Sequence, residues 1–252
     1  MSIKFEKWQG LGNDFIILFD DIATSDLAIR LCDRNFGIGA DGIFCPTKSV
    51  SADIGWKFFN SDGTIAQMCG NGIRCFAQFV KKHNIVSKDT FTVETLAGIK
   101  TPEIIDNKKV RVNMGTPVFD KNIEIEGYKA FLVSMGNPHC VIFTEDNTEN
   151  LAKTKGKVIE NNPVFPEKTN VEFANIISNN RIKMNVWERG CGITLACGTG
   201  ACATVAAGVK NGFISNICDV VLPGGILNID YSKENIFMTG DAVCVFSGEY
   251  LE

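Results

Sequence analysis

Two cysteines, each placed directly ahead of a glycine-rich turn, are the residues of this sequence best suited to chemistry. Cys69 is followed by Gly70-Asn71-Gly72, and Cys197 is followed by Gly198-Thr199-Gly200. After each turn, apolar residues recur at the spacing of a helix. The sequence therefore predicts two thiols, each at the N-terminus of a helix.

A helix N-terminus is a favourable place for a thiol that reacts. The first N–H groups of a helix have no partner within the helix, and this end carries about half a positive charge. We therefore expect the thiolate to be stabilised and the pKa of both thiols to be lowered. The glycines permit a tight turn and let a ligand approach the backbone, so that a carboxylate could bind the same N–H groups.

The two cysteine motifs belong to a longer internal repeat. Residues 59–72, "FNSDGTIAQMCGNG", align without a gap with residues 187–200, "WERGCGITLACGTG". A second pair, "LGNDF" at 11–15 and "MGNPH" at 135–139, has nearly the same offset. Such self-similarity predicts two related halves, each contributing one thiol.

Short strand-like runs surround both predicted helices, which favours an α+β fold of two pseudo-symmetric halves. We predict an N-terminal half over residues 1–115, completed by a last strand at about 240–252, and a C-terminal half over 116–239. The sequence "PGG" at 223–225 predicts a hairpin turn. A substrate site in the cleft between such halves is the natural expectation.

Two opposed thiols fit one reaction class better than others. Disulfide exchange typically uses a Cys-x-x-Cys pair, which is absent, and a nucleophilic enzyme needs one cysteine with a histidine. Inversion of a stereocentre needs a base on one face of a carbon and an acid on the other. One thiolate would remove an α-proton while the opposite thiol delivers another, and helix N–H groups would stabilise the developing carboxylate charge.

Composition excludes several other classes. The net charge of −4 argues against a nucleic-acid partner, and no apolar run is long enough to span a membrane. We therefore expect a cytoplasmic protein. Ten cysteines leave a thiol redox or metal-binding protein as an alternative, although only two histidines are present. A non-enzymatic anion-binding module ranks last, because neither turn has the sequence of a P-loop or a dinucleotide fold.

The chain also resembles the diaminopimelate epimerases over nearly its whole length. The motifs that carry the resemblance occur in the family's order: "GLGNDF" (10–15), "GIGADG" (37–42), "FNSDG" (59–63), "MCGNGIRC" (68–75), "MGNPHC" (135–140), "TNVEF" (169–173), "ERGCG" (188–192) and "ACGTGA" (196–201). The resemblance implies that each half is a barrel-like mixed sheet around a central helix. It also implies a cofactor-independent isomerase that interconverts LL- and meso-2,6-diaminopimelate, in the synthesis of lysine and peptidoglycan precursors.

The resemblance further implies roles for individual residues. Cys69 and Cys197 match the two catalytic bases, and His139 and Glu188 match residues that tune the pKa of the cysteines. The positions that match the substrate pocket are Asn13, Asn60, Gly70, Asn71, Asn137, Asn170, Glu188, Arg189, Gly198 and Thr199. The partner implied is a small amino-acid substrate, with no metal and no cofactor, and a homodimer is left open.

One position departs from the family pattern. Ile193 stands in "ERGCGIT" where the family usually has a glutamate. A racemase or epimerase of another amino acid on the same scaffold, such as meso-lanthionine or histidine, therefore remains an alternative. Among the other candidates, we expect Cys75 and Cys202 to be core residues, Cys191 to be incidental and His83 to lie on the surface.

Overall fold

A computed structural model describes residues 2–251 of the chain, which form an α+β fold. The first part contains β1 (Ser2–Gly10), β2 (Asn13–Leu18), α1 (Ser25–Cys32), β3 (Gly42–Thr47), β4 (Ile54–Asn60), α2 (Gly70–Lys82), β5 (Val93–Thr95), β6 (Gly98–Lys100), β7 (Pro102–Ile104) and β8 (Lys109–Gly115). The second contains β9 (Val118–Phe119), β10 (Ile123–Ile125), β11 (Tyr128–Ser134), β12 (Pro138–Phe143), α3 (Thr148–Glu160), β13 (Asn170–Ser178), β14 (Arg181–Glu188), β15 (Gly192–Ile193), α4 (Gly198–Lys210), β16 (Ile217–Leu222), β17 (Gly225–Asp230), β18 (Ile236–Asp241) and β19 (Val243–Leu251).

The chain divides into two compact units. Unit 1 comprises Met1–Val112 and Gly240–Glu252, and unit 2 comprises Asn113–Thr239. The division after Val112 lies three residues before the predicted boundary at 115 and falls inside β8, a strand that runs on into unit 2.

Unit 1 is a mixed sheet with a central helix. Its seven strands lie in the order β19-β1-β2-β3-β4-β5-β6, with parallel pairs at β2–β3 and β4–β5. Helix α2 packs against β1, β2, β7 and β19. Ile73, Phe76, Phe79 and Val80, which carry the helical periodicity in the sequence, are fully buried.

Unit 2 repeats this plan. Its main strands lie in the order β10-β11-β12-β13-β14-β16-β17-β18, with parallel pairs at β12–β13 and β14–β16. Helix α4 packs against β11, β12, β13 and β17, and its residues from Gly200 to Gly208 are all buried. Because most of these residues are small, strands can approach the helix on several sides. The predicted α+β fold of two similar halves is confirmed.

The strands and helices predicted from the sequence are present, although two helices went unpredicted. β16 and β17 form the hairpin whose turn was placed at 223–225. Helices α1 and α3 begin after the N-cap residues Thr24 and Asn147, whose side chains accept hydrogen bonds from backbone N–H groups. Ser, Thr, Asp and Asn are the usual residues at this position.

The second glycine of each cysteine motif is required for close packing. A Cβ atom on Gly72 would lie 2.4 Å from Cζ of Phe44, and one on Gly200 would lie 2.6 Å from Oε1 of Glu172. Both glycines lie in the first turn of a helix. Their role is therefore to let the helix start approach a side chain of the sheet, in addition to any turn they allow.

Gly72→Ala should destabilise the protein by about 1–3 kcal/mol, because the added methyl group would overlap an aromatic ring that cannot move freely. Phe44 is fully buried and packs against Trp56 and Phe58, with ring centroids 4.9 and 4.3 Å apart. Chemical denaturation would measure the loss. Gly208→Ala is the control, since its Cβ would lie 2.8 Å from Cδ1 and Cγ1 of Ile214, whose side chain can rotate, and 3.4 Å from Cζ of Phe143. Equal stability of the two variants would contradict this account.

Candidate active site

Both candidate thiols occupy the N-cap position of their helix. Cys69 and Cys197 have extended backbone angles, with φ of −141° and −121°. The sulfur of Cys69 accepts a hydrogen bond from the N–H of Gly72 at 3.4 Å, and the sulfur of Cys197 accepts one from Gly200 at 3.4 Å. In each unit a sulfur therefore does what the side-chain oxygen of an N-cap residue usually does.

In unit 1, asparagine side chains surround Cys69. The Cys69 thiol donates to Oδ1 of Asn13 at 3.5 Å, and Nδ2 of Asn71 donates to the same oxygen at 3.3 Å. Nδ2 of Asn13 in turn donates to Asp41 at 2.5 Å. Asn60, at the end of β4, donates from Nδ2 to Oγ1 of Thr64 at 2.9 Å. The structure thus groups Asn13 and Asn71 with Cys69, and gives Asn60 a local partner.

A buried arginine supports the start of helix α2. Arg74 is fully buried and donates to the carbonyl of Gly70 and to Oδ1 of Asn71, both at 3.0 Å. Arg74 and Asp41 were not predicted from the sequence as supporting residues. A charged residue on an otherwise apolar helical face was the available signal for Arg74.

In unit 2, a chain of polar contacts leads to Cys197. Oγ1 of Thr199 lies 3.5 Å from the sulfur, and Nδ2 of Asn137 donates to this hydroxyl at 3.4 Å. Oδ1 of Asn137 lies 3.1 Å from Nε2 of His139, whose Nδ1 lies 2.7 Å from Oε1 of Glu172. Four of these residues were predicted from the sequence, and Glu172 was not.

Glu188 lies beside the Cys197 thiol and interacts with it. Its carboxylate accepts a hydrogen bond from Oγ1 of Thr194 at 2.5 Å. Burial raises the pKa of Glu188, and the nearby Glu172 carboxylate adds to the effect. Burial also raises the pKa of Cys197 well above the ordinary thiol value, with further contributions from Glu188 and Glu172.

The expectation that both helix N-termini lower the pKa of their thiols is therefore wrong for Cys197. The hydrogen bonds from Thr199 and Gly200 do lower this pKa, but burial and the two carboxyl groups outweigh them. Removal of a charged group from water disfavours the thiolate, and each neighbouring carboxylate repels it. Cys197 is a proton-bearing thiol in this unit.

The side chain of Asn170 is held by the backbone of Pro138 and of Arg189. It is buried, donates from Nδ2 to the carbonyl of Pro138 at 2.8 Å, and accepts from the N–H of Arg189 at 3.0 Å. The Arg189 side chain is exposed and donates to the carbonyl of Glu167 at 3.2 Å. A Cβ on Gly198 would lie 3.0 Å from the sulfur of Met238, so this helix start is also closely packed.

Three further cysteines and His83 were also assigned from the sequence. Cys75 and Cys202 are fully buried and Cys191 is exposed. His83 was expected at the surface, but its ring packs against Phe19 and Phe79, and its Nε2 lies 3.0 Å from buried Glu6. Within residues 2–251, no cluster of three or more His, Cys, Asp or Glu side chains is arranged to hold a metal ion.

Comparison with known proteins gives the family. The family model described as diaminopimelate epimerase matches residues 5–119 and 131–245. This chain belongs to the diaminopimelate epimerase family. It is 49% identical to the diaminopimelate epimerase of Halothermothrix orenii, over 99% of this chain and 98% of that protein. It is 44% identical to that of Microcystis aeruginosa, over 99% of both.

Solved structures of distant sequence share the fold of this family member. A phenazine biosynthesis protein of the PhzF family from Bacillus anthracis superimposes with a TM-score of 0.75 at 17% identity, covering 100% of both chains. A hydroxyproline epimerase from Agrobacterium vitis gives a TM-score of 0.69 at 13% identity, covering 98% of this chain and 92% of that one. In the part of this chain that the structure describes, no helix is both long enough and apolar enough to cross a membrane.

Glu188→Gln should stabilise the protein at neutral pH. Because the folded-state pKa of Glu188 is raised, its contribution to stability is present below about pH 4.5 and is lost as pH rises through the folded-state pKa. Glutamine cannot ionise, so the variant does not lose this stability as pH rises. Thermal unfolding should therefore show a higher Tm than wild type at pH 7.5 and little difference at pH 4.

Glu160→Gln is a control for which the expected change in Tm at pH 7.5 has the opposite sign. Burial tends to raise the pKa of Glu160, but hydrogen bonds from Nε1 of Trp187 and the N–H of Gly190 outweigh it and lower this pKa. The Glu160 carboxylate therefore contributes stability above its unfolded-state pKa, and this stability is lost as pH falls through its folded-state pKa. Glu160→Gln should lower Tm at pH 7.5. A lower Tm for Glu188→Gln at pH 7.5 would show that its carboxylate is stabilising.

Proposed function

We propose that this protein interconverts LL- and meso-2,6-diaminopimelate, with Cys69 and Cys197 as the two bases. The observation that carries the proposal is the matched pair of cysteine N-caps, one at the start of the central helix of each unit. Relatives that are 44–49% identical and are named diaminopimelate epimerase support the choice of substrate. The alternatives of a redox, metal-binding or anion-binding protein have no comparable support.

In the proposed reaction, a thiolate removes the α-proton of one amino-acid centre and becomes a thiol. The electron pair left on carbon is delocalised into the adjacent carboxylate, which takes up the charge. The opposite thiol then donates its proton to the other face of the carbon and becomes a thiolate. The carbon is inverted, no electrons are gained or lost, and the two sulfurs have exchanged protonation states.

The carboxylate that takes up this charge needs hydrogen-bond donors, which the helix starts can supply. The N–H groups at Gly70-Asn71 and Gly198-Thr199 are the first of their helices, so they have no acceptor within the helix. Donors aimed at developing negative charge stabilise it most in a water-excluded site. We assign these groups to the reacting carboxylate, as the sequence predicts.

The far end of the substrate carries a second carboxylate and a second ammonium group. We assign the carboxylate to Arg189, whose guanidinium is exposed and can form a bidentate pair. Asn13, Asn60 and Asn137 supply amide groups for the remaining polar atoms. Asn170 belongs to the same proposed set, and its bonds to the backbone of Pro138 and Arg189 would fix the orientation of its amide.

The electrostatics of unit 2 suggest which thiol begins with the proton. Burial and the carboxyl groups of Glu188 and Glu172 keep Cys197 protonated. In the direction that starts from this state, Cys197 is the acid and Cys69 removes the α-proton. The reverse direction exchanges the roles.

The wider setting of the reaction follows from the sequence. The proposed substrate is a small amino acid, and the proposed location is the cytoplasm. The reaction draws acid, base and hydrogen-bond donors from the protein's own residues, so the proposal assigns no cofactor. A homodimer stays a prediction, to be tested by sedimentation.

Cys69→Ala and Cys197→Ala should each abolish epimerisation, because each removes one of the two proton-transfer groups. The measurement is deuterium incorporation at the α-carbon of LL-diaminopimelate in D2O, under reducing conditions and without pyridoxal phosphate. Cys75→Ala is the matched control, since Cys75 is buried in α2 and burial raises its pKa to about 12. It should retain activity.

Different substrates distinguish the alternatives within the family. Deuterium uptake by meso-lanthionine or histidine, with none by LL-diaminopimelate, would reassign the substrate and keep the two-thiol mechanism. Full activity of either cysteine variant would overturn the mechanism itself.

Activity should also depend on reductant. The proposed mechanism requires both sulfurs to reach one carbon, so a mild oxidant should join them as a disulfide and a dithiol should restore activity. Peptide mapping after oxidation would identify the linked cysteines. Activity that survives oxidation would argue against a shared carbon.

A further inference from the structure

The side chains beneath the two cysteine N-caps differ in chemistry. In unit 1, the aromatic residues Phe15 on β2 and Phe44 on β3 lie together, with ring centroids 4.8 Å apart. In unit 2, the corresponding strands β12 and β13 carry His139 and Glu172, with Nδ1 and Oε1 2.7 Å apart. Each pair lies on the parallel strands that follow the repeated Gly-Asn motif.

The packing contacts show that these pairs occupy equivalent places. The second glycine of the unit 1 motif, Gly72, lies directly over the ring of Phe44. The second glycine of the unit 2 motif, Gly200, lies directly over Oε1 of Glu172. Glu172 in unit 2 therefore stands where unit 1 has a phenylalanine.

Packing alone does not require a carboxylate at this place. Glu172 is fully buried, and its Oε2 has no hydrogen-bond partner within residues 2–251. A buried ion pair is often no more stable than apolar residues of similar size, and an unsatisfied buried oxygen is costly. Phe44 shows that the same framework accepts an apolar residue. The carboxylate must therefore be retained for what it does to its neighbours.

The neighbours of Glu172 lead to the thiol. Its Oε1 faces Nδ1 of His139, and Nε2 of that ring faces Oδ1 of Asn137 at 3.1 Å. Glu172 and Asn137 therefore hold the ring through its two nitrogens. With its oxygen fixed by His139, Asn137 presents Nδ2 to the hydroxyl of Thr199, which contacts Cys197.

We propose that Glu172 is a positioning residue that acts through His139: its buried carboxylate fixes the imidazole, which orients Asn137 and Thr199 against the Cys197 thiol. The proposal rests on the proposed function and deepens it. Among the described titratable groups, Glu172, His139 and Glu188 surround this thiol. Glu188 interacts with the sulfur itself. Glu172 acts from the far end of the series of contacts through His139, Asn137 and Thr199, which we call the relay.

Glu172→Gln tests the proposal with little change of shape. We expect kcat to fall about 10- to 100-fold and KM to change less, since among the assigned substrate contacts only the Asn137 amide is disturbed, while the proton-transfer group is misplaced. Nitrogen-15 NMR of the imidazoles gives a readout that needs no substrate. The chain has two histidines, so His139 can be followed individually. Its Nδ1 signal should shift, because the carboxylate oxygen beside this nitrogen is replaced by an amide group.

A double-mutant cycle with His139→Gln separates positioning from structure. If Glu172 acts through the ring, Glu172→Gln should cost less than about twofold in kcat once His139 is already replaced. Losses that multiply in the double variant would overturn the relay. Wild-type kcat and unchanged His139 signals in Glu172→Gln would overturn it as well.

Glu6→Gln is the matched control. Glu6, on β1, is also buried, and its carboxylate lies 3.0 Å from a histidine, His83. His83 is at the C-terminal end of α2, the end opposite to Cys69. This variant should move the His83 signals and leave kcat and His139 unchanged. If Glu172→Gln fails to fold, Glu172→Leu replaces it in the same cycle, following the apolar example of Phe44. A wild-type protein without epimerase activity would refute the proposed function, while the NMR result would still test the relay.

Discussion

Each unit is organised by a hydrogen bond from a helix to the sulfur in front of it. The N–H of the third helical residue donates to the cysteine side chain, and this fixes the sulfur at the point where the other first N–H groups emerge. The same third residue has to be glycine, because the sheet lies directly beneath it. Reactivity at the cap and close packing under the first turn are thus two results of one arrangement.

The two units use this common framework for different electrostatic purposes. Around Cys69, the nearby groups are amides, a buried arginine and an aromatic layer. Around Cys197, two carboxyl groups and a histidine face a thiol that is buried. Positive charge favours a thiolate and carboxylates disfavour it. The two halves of the repeat therefore share the backbone geometry of the cysteine N-cap, while the charged groups around each cysteine differ.

Much of the fold could be predicted from local sequence. Apolar spacing after Cys69 and Cys197 predicted both central helices, and the "PGG" sequence predicted the hairpin of β16 and β17. These features depend on neighbours in the chain. The candidate site residues came from motifs, since each motif is a short stretch of sequence.

The electrostatics could not be predicted in the same way. The pKa of Cys197 is raised by burial and by carboxylates on β13 and β14, which approach it only in the folded protein. Glu172 lies among apolar residues of β13, and nothing in that segment shows that the strand faces a helix start. The contact between His83 and Glu6 could not be predicted for a similar reason, because the two residues are 77 positions apart.

The strand that closes unit 1 has a consequence for how the chain is made. β19 pairs with β1, so that Leu251 lies opposite Ser2, and Phe246 packs edge-on against Phe5. During synthesis, every residue of unit 2 leaves the ribosome before β19 does, and domains generally fold as units. Unit 2 can therefore fold on the nascent polypeptide, while β1 keeps an open edge until β19 has left the ribosome.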